Sequence, residues 1–312
     1  MKFYKPKFWD KKGQIGLFSI LLMPLTLITL IKNYYENSKI KKNFYDLKTI
    51  CVGNIYIGGT GKTPLVNNLA DHFKKKFKTF IIKKNYTSHL DEKKLLELKH
   101  KVIFEKAREL SITKAENEKA EMLIFDDGLQ EKKINYDLKI VCFNSLKLDG
   151  NGLIIPAGPL REKLDSIKNY DVVLINGDSN KETKNFINKI KKINPNIKIF
   201  TGKYVPKNYS KLKKKKFIIF SGIGNPHTFS DTLKNLKIKF YGYEKFPDHY
   251  DYKESDLRKL KHLAKIKNCE LLTTEKDYFR LKKSFRKNIN YLKVELSVEQ
   301  KKLFYKYLNE RL

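Results

Sequence analysis

The segment TICVGNIYIGGTGKTPLV, residues 49–66, decides the fold of this chain. Its β-branched residues predict a buried strand, its glycines predict a turn, and the residues from Lys62 onward predict a helix. Glycines in such a turn can adopt positive φ angles and let backbone N–H groups converge on phosphate oxygens. The segment therefore predicts a phosphate-binding loop between a strand and a helix.

The loop residues have distinct expected roles. We expect nucleotide contacts from the run Gly58, Gly59, Thr60, Gly61, Lys62 and Thr63. Lys62 would reach the β- and γ-phosphates of ATP as a point charge and assist catalysis, and the hydroxyl of Thr63 would bind Mg²⁺. Tyr56 stands where the strict GxxxxGK[ST] pattern has its first glycine, so the loop is a variant of that pattern.

A short acidic motif follows further along the chain. The strand-like run 121–125, which is apolar after its first residue, is followed by Asp126-Asp127-Gly128. Such a tripeptide is by itself more typical of a turn. Carboxylates at the carboxyl end of a strand beside a phosphate loop, however, are placed to hold Mg²⁺ directly or through water. The upstream loop favours this second interpretation for Asp126 and Asp127.

The rest of the chain alternates short β-branched runs with amphipathic segments. This alternation predicts an α/β fold, a P-loop NTPase-like parallel sheet with helices on both faces, joined to a second, smaller α/β domain. The lysine-rich stretch 202–216 predicts a linker. We therefore expect a P-loop domain over residues 36–203 and a linker with the smaller domain over 204–312. The predicted strands are 49–52, 79–82, 101–104, 122–125, 139–143, 172–175, 197–200, 217–220 and 271–273.

An uncharged apolar run precedes these domains. It covers residues 15–31, has lysines on either side and contains Pro24. The run is at the lower limit of length for crossing hydrocarbon, and no small-residue cleavage site typical of a signal peptide follows it. We expect a membrane-associating helix within residues 1–35. A membrane-spanning helix, an interfacial helix and a buried core helix all stay open.

Composition narrows the remaining classes of protein. The chain has 312 residues, 41% of them hydrophobic, with 66 Lys+Arg against 34 Asp+Glu and a net charge of +32. This length and apolar content predict two folded domains and argue against wholesale disorder, although the charge is high. Three separated cysteines indicate neither a disulfide framework nor a zinc cluster, and favour a reducing compartment. The excess of lysine over arginine does not favour base recognition, whereas an anionic membrane or polyphosphate partner fits the charge.

Six segments occur in one order and together resemble one enzyme family. They are VGNIYIGGTGKTP (52–64), FDDGLQ (125–130), GNGLIIPAGPLRE (150–162), FSGIGNPHTF (220–229), FPDHY (246–250) and TTEKDY (273–278). The set resembles the tetraacyldisaccharide 4′-kinases, the lipid A 4′-kinases, over nearly the whole chain.

This resemblance implies transfer of the γ-phosphate of ATP, with Mg²⁺, to the 4′-hydroxyl of tetraacyldisaccharide 1-phosphate. The reaction would form lipid IVA during lipid A biosynthesis. The lipid A disaccharide 1-phosphate would be the substrate, and the N-terminal helix would meet the membrane surface. We expect a monomer at the cytoplasmic face of the bacterial inner membrane, without a specific nucleic-acid partner.

The resemblance also assigns roles to further side chains. It makes Glu162 a metal contact, Arg161 a phosphate contact and Tyr86 a substrate-binding residue. Taken alone, Arg161 and Glu162 are equally typical of a surface ion pair. The family's Gly-Asp-Glu-Pro motif best matches residues 90–93, which makes Asp91 the candidate catalytic base, and the catalytic histidine of FPDHY is His249.

Two positions depart from the family pattern. The usual Ser-Arg-Gly-Tyr-Gly segment appears as KKNYT at residues 83–87, and Glu131 stands where the family carries histidine. The first change leaves open that Asp91 serves as a helix N-cap. The second leaves open an enzyme whose activity is weakened or altered.

Two functions from other classes stay open. One is a membrane-associated P-loop nucleotide switch, but the guanine-reading motif Asn-Lys-x-Asp has its nearest counterpart in residues 274–277, where the lysine comes one place late. The other is an ATP-dependent nucleic-acid-binding protein, with aromatic and basic residues interleaved over 241–245. Salt-sensitive binding to nucleic acid without lipid-dependent turnover would favour the latter.

Overall fold

A computed structural model describes residues 6–38, 43–84, 96–224, 226–247 and 250–312 of the chain. The chain divides into two units, the first within residues 1–85, 101–203 and 296–312, the second within 86–100 and 204–295. Residues 296–312, which the sequence-based division puts in the second domain, belong to the first unit. The reason is packing, because Phe304 and Leu308 are buried there and the ring of Phe304 lies 5.0 Å from that of Phe200.

The larger sheet is built mostly from strands that are apolar on both faces. These strands are β1 (Lys48–Gly53), β2 (Thr79–Lys84), β3 (Lys101–Glu105), β4 (Met122–Asp126), β5 (Leu138–Asn144), β6 (Val172–Asn176), β7 (Lys198–Pro206) and β12 (Val294–Val298). They lie in the order β12-β7-β6-β5-β1-β4-β2-β3. Neighbours from β7 to β3 run parallel. Parallel strands covered by helices on both faces bury both sets of side chains, as the continuous apolar runs require.

Helices cover both faces of this sheet, which confirms the P-loop NTPase-like fold. The helices of the first unit are α1 (Leu17–Ser38), α2 (Lys62–Phe73), α3 (Arg108–Asn117), α4 (Lys181–Ile193) and α9 (Lys301–Arg311), with 3-10 turns at Lys7–Asp10 and Leu164–Asn169. Helix α2 shows why they pack there. It buries Leu65, Leu69 and Phe73, which share one face of a helix of 3.6 residues per turn.

The second unit contains a smaller parallel sheet, as the sequence predicts. Its strands are β8 (Lys216–Ser221), β9 (Lys239–Lys245), β10 (Glu270–Thr274) and β11 (Ile289–Leu292), in the order β11-β10-β8-β9. Its helices are α5 (Tyr209–Leu212), α6 (Pro226–Asn235), α7 (Glu254–Ile266) and α8 (Glu275–Arg280), with a 3-10 turn at Lys283–Phe285. Alternate residues of β8 enter two separate cores, Phe217 with Leu233 and Ile218 with Leu260, so apolar packing occurs on both faces.

Eight of the nine predicted strands fall within observed strands, and the ninth, 197–200, begins one residue before β7. The predicted linker is partly regular structure. Strand β7 continues to Pro206, and α5 follows at once with Leu212 buried. The sequence of β9, KFYGYEK, has aromatic residues that favour a strand, but a central glycine and charges at both ends interrupt the apolar pattern, and the sequence did not predict this strand. Pairing with β8 nevertheless makes it a strand, with a register shift at Phe217/Ile218.

Helix α1 directs polar side chains toward the rest of the first unit and apolar side chains toward solvent. Ser19 and Thr26 are buried. Thr29 Oγ1 donates to the carbonyl of Ile155 at 3.0 Å. The outward face includes Leu17, Phe18, Leu21 and Ile28, which are 70%, 66%, 65% and 66% exposed. Helix α1 is therefore not a buried core helix. In the described part of the chain, no helix combines the length and the apolar character needed to cross a bilayer.

Candidate active site

The phosphate loop joins β1 to α2. Gly58 and Gly61 have φ angles of 124° and 90°, which residues with a side chain rarely adopt. Among the described residues, the N–H groups of 58–61 donate to no backbone carbonyl. These groups, together with the N-terminus of α2, can donate to a bound anion. The geometry supports the predicted phosphate site.

Two buried asparagines hold this loop in place. Asn54 Nδ2 donates to the carbonyl of Gly58 at 3.1 Å, and Asn176 Nδ2 donates to the carbonyl of Thr60. The sequence motifs predict neither residue as part of the site. Asn176 did have a signal, because it directly follows the apolar run 172–175 in the same way that Asp126 follows 122–125.

Tyr56, the departure from the strict loop pattern, ties the loop to the N-terminal segment. Its hydroxyl donates to the carboxylate of Asp10. Burial raises the pKa of the Tyr56 phenol, and the charge of Asp10 raises it further, so the phenol stays protonated and donates. The segment also lies close to Gly150, where an added Cβ would come within 2.4 Å of the Trp9 carbonyl oxygen. Glycine is therefore required at position 150.

Strand β4 delivers Asp126 to the phosphate loop. Thr63 Oγ1 donates to Asp126 Oδ2 at 3.1 Å, so the structure brings together two of the predicted metal-binding residues. Asp126 is buried, and its Oδ1 has no hydrogen-bond partner among the described residues. Leaving a buried carboxylate oxygen without a partner costs free energy.

These two residues fit a magnesium ion. The described residues contain no cluster of three His, Cys, Asp or Glu side chains suited to a metal. Mg²⁺ is commonly held by one or two protein oxygens, with waters and phosphate oxygens completing the shell. The free Oδ1 of Asp126 and the nearby Thr63 hydroxyl match that donor set.

Asp127 interacts with the cations of the site. Its backbone is left-handed, with φ of 64°. Its Oδ1 accepts from Arg161 Nη1 at 2.9 Å and lies 3.8 Å from Lys62 Nζ. Burial alone would raise the pKa of Asp127, but the charges of Lys62 and Arg161 outweigh burial and lower it. Asp127 is therefore ionised at neutral pH and positions two predicted phosphate-binding cations.

Lys83 is a further cation that the sequence analysis did not select as a site residue. It lies opposite Asp126 in the register of β2 and β4. Its side chain is buried, and Nζ lies 2.5 Å from Asp126 Oδ2. The sequence prediction ended this strand at residue 82, and a lysine after an apolar run normally indicates the solvated end of a strand. The register between strands, which the sequence does not give, was needed to find it.

The PAGPLRE segment reaches the site through backbone contacts. The N–H of Arg161 donates to the carbonyl of Ile55 at 2.8 Å, which brings its guanidinium to Asp127. Glu162 instead accepts from Gln130 Nε2 at 2.9 Å and from the Tyr170 hydroxyl at 2.8 Å. The predicted metal contact Glu162 is thus engaged by protein donors.

Glu131, the second departure from the family pattern, has a compensating partner. Its Oε2 lies 3.7 Å from Nη1 of the buried Arg108. Arg108 Nη2 also donates to the carbonyl of Asp127 at 2.6 Å. The negative charge at position 131 is therefore balanced by an arginine that also holds the Asp127 turn.

Three predicted site residues cannot be placed. Tyr86, Asp91 and His249 lie outside the described residues. Their roles stay predictions.

Within the second unit, TTEKDY has a structural role. Thr274 caps α8 by accepting from the N–H of Asp277 at 3.2 Å. Asp277 is fully buried, and its Oδ1 accepts from the N–H of Gly222 at 3.1 Å and from the Tyr252 hydroxyl at 2.9 Å. A carboxylate bound in this way inside the unit is not presented to a guanine base.

Comparisons with known proteins cover almost the whole chain. The model of a family described as tetraacyldisaccharide-1-P 4′-kinase matches residues 17–312. A protein of Pelagibacter ubique (strain HTCC1062) named tetraacyldisaccharide 4′-kinase is 45% identical, over 97% of this chain and 96% of its own length. One of Rickettsia akari (strain Hartford) with the same name is 35% identical, over 100% of this chain and 97% of its own. The fold is similar to a crystal structure of "apo" form LpxK from Aquifex aeolicus in complex with ATP, with a TM-score of 0.71, 24% identity, and coverage of 95% of this chain and 99% of that one.

Proposed function

The chain belongs to the tetraacyldisaccharide-1-P 4′-kinase family, and on that premise we propose that it transfers the γ-phosphate of ATP to the 4′-hydroxyl of tetraacyldisaccharide 1-phosphate. The resemblance carried by the six sequence segments is confirmed at the level of the family. The observation that carries the proposal is the contact of Thr63 with Asp126 beside the phosphate loop. Phosphoryl transfer depends mainly on positioning and on neutralising phosphate charge. The arrangement around the loop can do both.

The residues of the first unit would divide this work. Backbone N–H groups of the loop and the ammonium of Lys62 bind the phosphates, and Arg161 adds a second cation held by Asp127. Thr63 and Asp126 would hold Mg²⁺, with Glu162 nearby in the same network through Gln130 and Arg161. A bound Mg²⁺ neutralises phosphate charge and orients the phosphate oxygens.

The acceptor side of the reaction rests on the resemblance. We assign Asp91 to accept or orient the proton of the acceptor hydroxyl, His249 to assist it, and Tyr86 to contact the disaccharide. The support is the match of residues 90–93 and of FPDHY to family motifs.

Transfer of label from γ-labelled ATP to tetraacyldisaccharide 1-phosphate in detergent micelles with Mg²⁺ tests this function. We expect labelled lipid in proportion to enzyme. ATP hydrolysis or binding without labelled lipid would contradict this function and favour a P-loop nucleotide switch. Turnover of ATP that nucleic acid stimulates would favour an ATP-dependent nucleic-acid-binding protein. In the same assay, full activity of the Asp91→Ala, His249→Ala double variant would remove both residues from the mechanism.

We also propose that the protein works on the cytoplasmic face of the inner membrane, with α1 lying in the interface. Two features support this placement. The outward face of α1 carries large apolar side chains, which is typical of surfaces that meet a membrane. The net charge of +32 adds attraction to anionic lipids. An acylated substrate would then lie beside the enzyme with its sugar in reach.

Lysine substitutions on α1 test the membrane proposal. In a variant with Leu21→Lys, Leu25→Lys and Ile28→Lys, we expect affinity for anionic vesicles to fall by at least 10²-fold, since each buried side chain contributes about 1.5–3 kcal/mol. The added positive charges would act in the opposite direction. Vesicle co-sedimentation measures the change. A control with Leu110→Lys and Leu303→Lys, which exchanges equally exposed leucines elsewhere, should bind as the wild type does. Complete release of the wild type by salt would contradict insertion of α1.

A further inference from the structure

Lys83 brings a positive charge to the place where the metal would bind. Its side chain is 9% exposed, and Nζ lies 2.5 Å from Asp126 Oδ2. Thr63 Oγ1 donates to the same oxygen at 3.1 Å. Asp126 therefore gives one carboxylate oxygen to protein donors, and its other oxygen, Oδ1, has no partner in the described part of the chain.

An ammonium ion and a divalent cation compete for one carboxylate. Each interacts best with the ionised oxygens, and the two positive ions repel one another at short distance, more strongly in a buried site than in water. Lys62 and Arg161, which surround the neighbouring Asp127, add further positive charge. A free divalent cation entering this site meets three protein cations and two carboxylates.

A nucleotide changes this balance. The triphosphate brings several negative charges, which offset the protein cations and supply oxygens for the metal. We propose that Lys83 is a positioning residue that keeps the nucleotide-free site from binding a free divalent cation, so that the metal enters together with the nucleotide. The inference rests on the metal site of the proposed function and deepens it. It assigns Lys83 control over the order in which metal and nucleotide bind.

The test measures Mn²⁺ affinity of the nucleotide-free, full-length protein from the free-ion signal in electron paramagnetic resonance. We expect weak binding by the wild type and at least tenfold tighter binding by Lys83→Met. Lys83→Arg, which keeps the charge, should bind weakly. The matched control is Lys84→Met, which removes a lysine from the next position of β2, where side chains point to the opposite face. It should leave the affinity unchanged.

Equal Mn²⁺ affinity in the wild type and Lys83→Met would overturn the inference. If metal-free ATP then bound tenfold more weakly to Lys83→Met, Lys83 would be a phosphate ligand instead. Thermal unfolding without metal shows whether Lys83→Met is folded. With Mn²⁺ it gives a second measure of binding, because Mn²⁺ should raise the melting temperature of Lys83→Met more than that of the wild type. Should Lys83→Met fail to fold, Lys83→Gln, which retains a hydrogen-bond donor without the charge, takes its place with the same expectations. These measurements use no lipid, so a failure of lipid phosphorylation leaves their result intact.

Discussion

Replacing Lys62 with alanine is expected to lower the initial rate of γ-phosphate transfer to the lipid by about 10²–10³-fold, the usual effect of removing one preorganised charge-stabilising group. Lys62 is the first residue of α2, and its Nζ lies 3.8 Å from Asp127. From that position its ammonium would neutralise charge on the transferring phosphate. An interaction that strengthens in the transition state affects the rate constant more than the Michaelis constant for ATP.

The matched control is Lys74→Ala. Lys74 immediately follows α2, is exposed and binds Asp71 at 2.6 Å. Its removal changes the net charge by the same amount and should leave the rate at the wild-type value. A Lys62→Ala rate within a few-fold of the wild type, in protein of normal stability, would show that the loop does not carry the reaction.

An Asp126→Asn variant is expected to lose both stability and transfer. The substitution removes the counter-charge of the buried Lys83, and an unpaired buried charge destabilises a fold by about 3–5 kcal/mol. It also removes the carboxylate that would hold the metal, so transfer should fall by at least about 10²-fold. Urea unfolding measures the first effect, and label transfer to lipid measures the second.

The double variant Asp126→Asn, Lys83→Met separates the two effects. With both charges gone, most of the lost stability should return, because a buried ion pair replaced as a pair is often neutral. Transfer should stay low, since the carboxylate is still missing. Wild-type stability in the single variant would mean that the ion pair contributes nothing, and recovered transfer in the double variant would remove Asp126 from the metal site.

The parts of the site that the sequence predicts are those that local order specifies. The phosphate loop lies within one continuous motif, and Asp126 directly follows an apolar strand. Lys83 and Arg108 have no such local signal. Their roles depend on which strand lies beside which, and on the register of β2 against β4, which brings Lys83 opposite Asp126.

The same reason explains the misjudged segments of the fold. In β9 and at the end of β7, glycine and charged residues interrupt the apolar pattern, and these segments are strands because a neighbouring strand pairs with them. Residues 296–312 follow the second unit in sequence, but their apolar side chains are buried in the first. Proximity along the chain does not determine which core a terminal helix joins.

The orientation of α1 has a practical consequence for anyone who needs a better-behaved protein in detergent-free buffer. Cutting off an exposed apolar N-terminus is the customary remedy. Here that cut would also remove Thr29 and Asn33, whose side chains donate to the carbonyls of Ile155 and Arg161, in the segment that brings the Arg161 guanidinium to Asp127. Replacing the exposed apolar residues of α1 with polar residues would improve solubility and leave those hydrogen-bond donors in place.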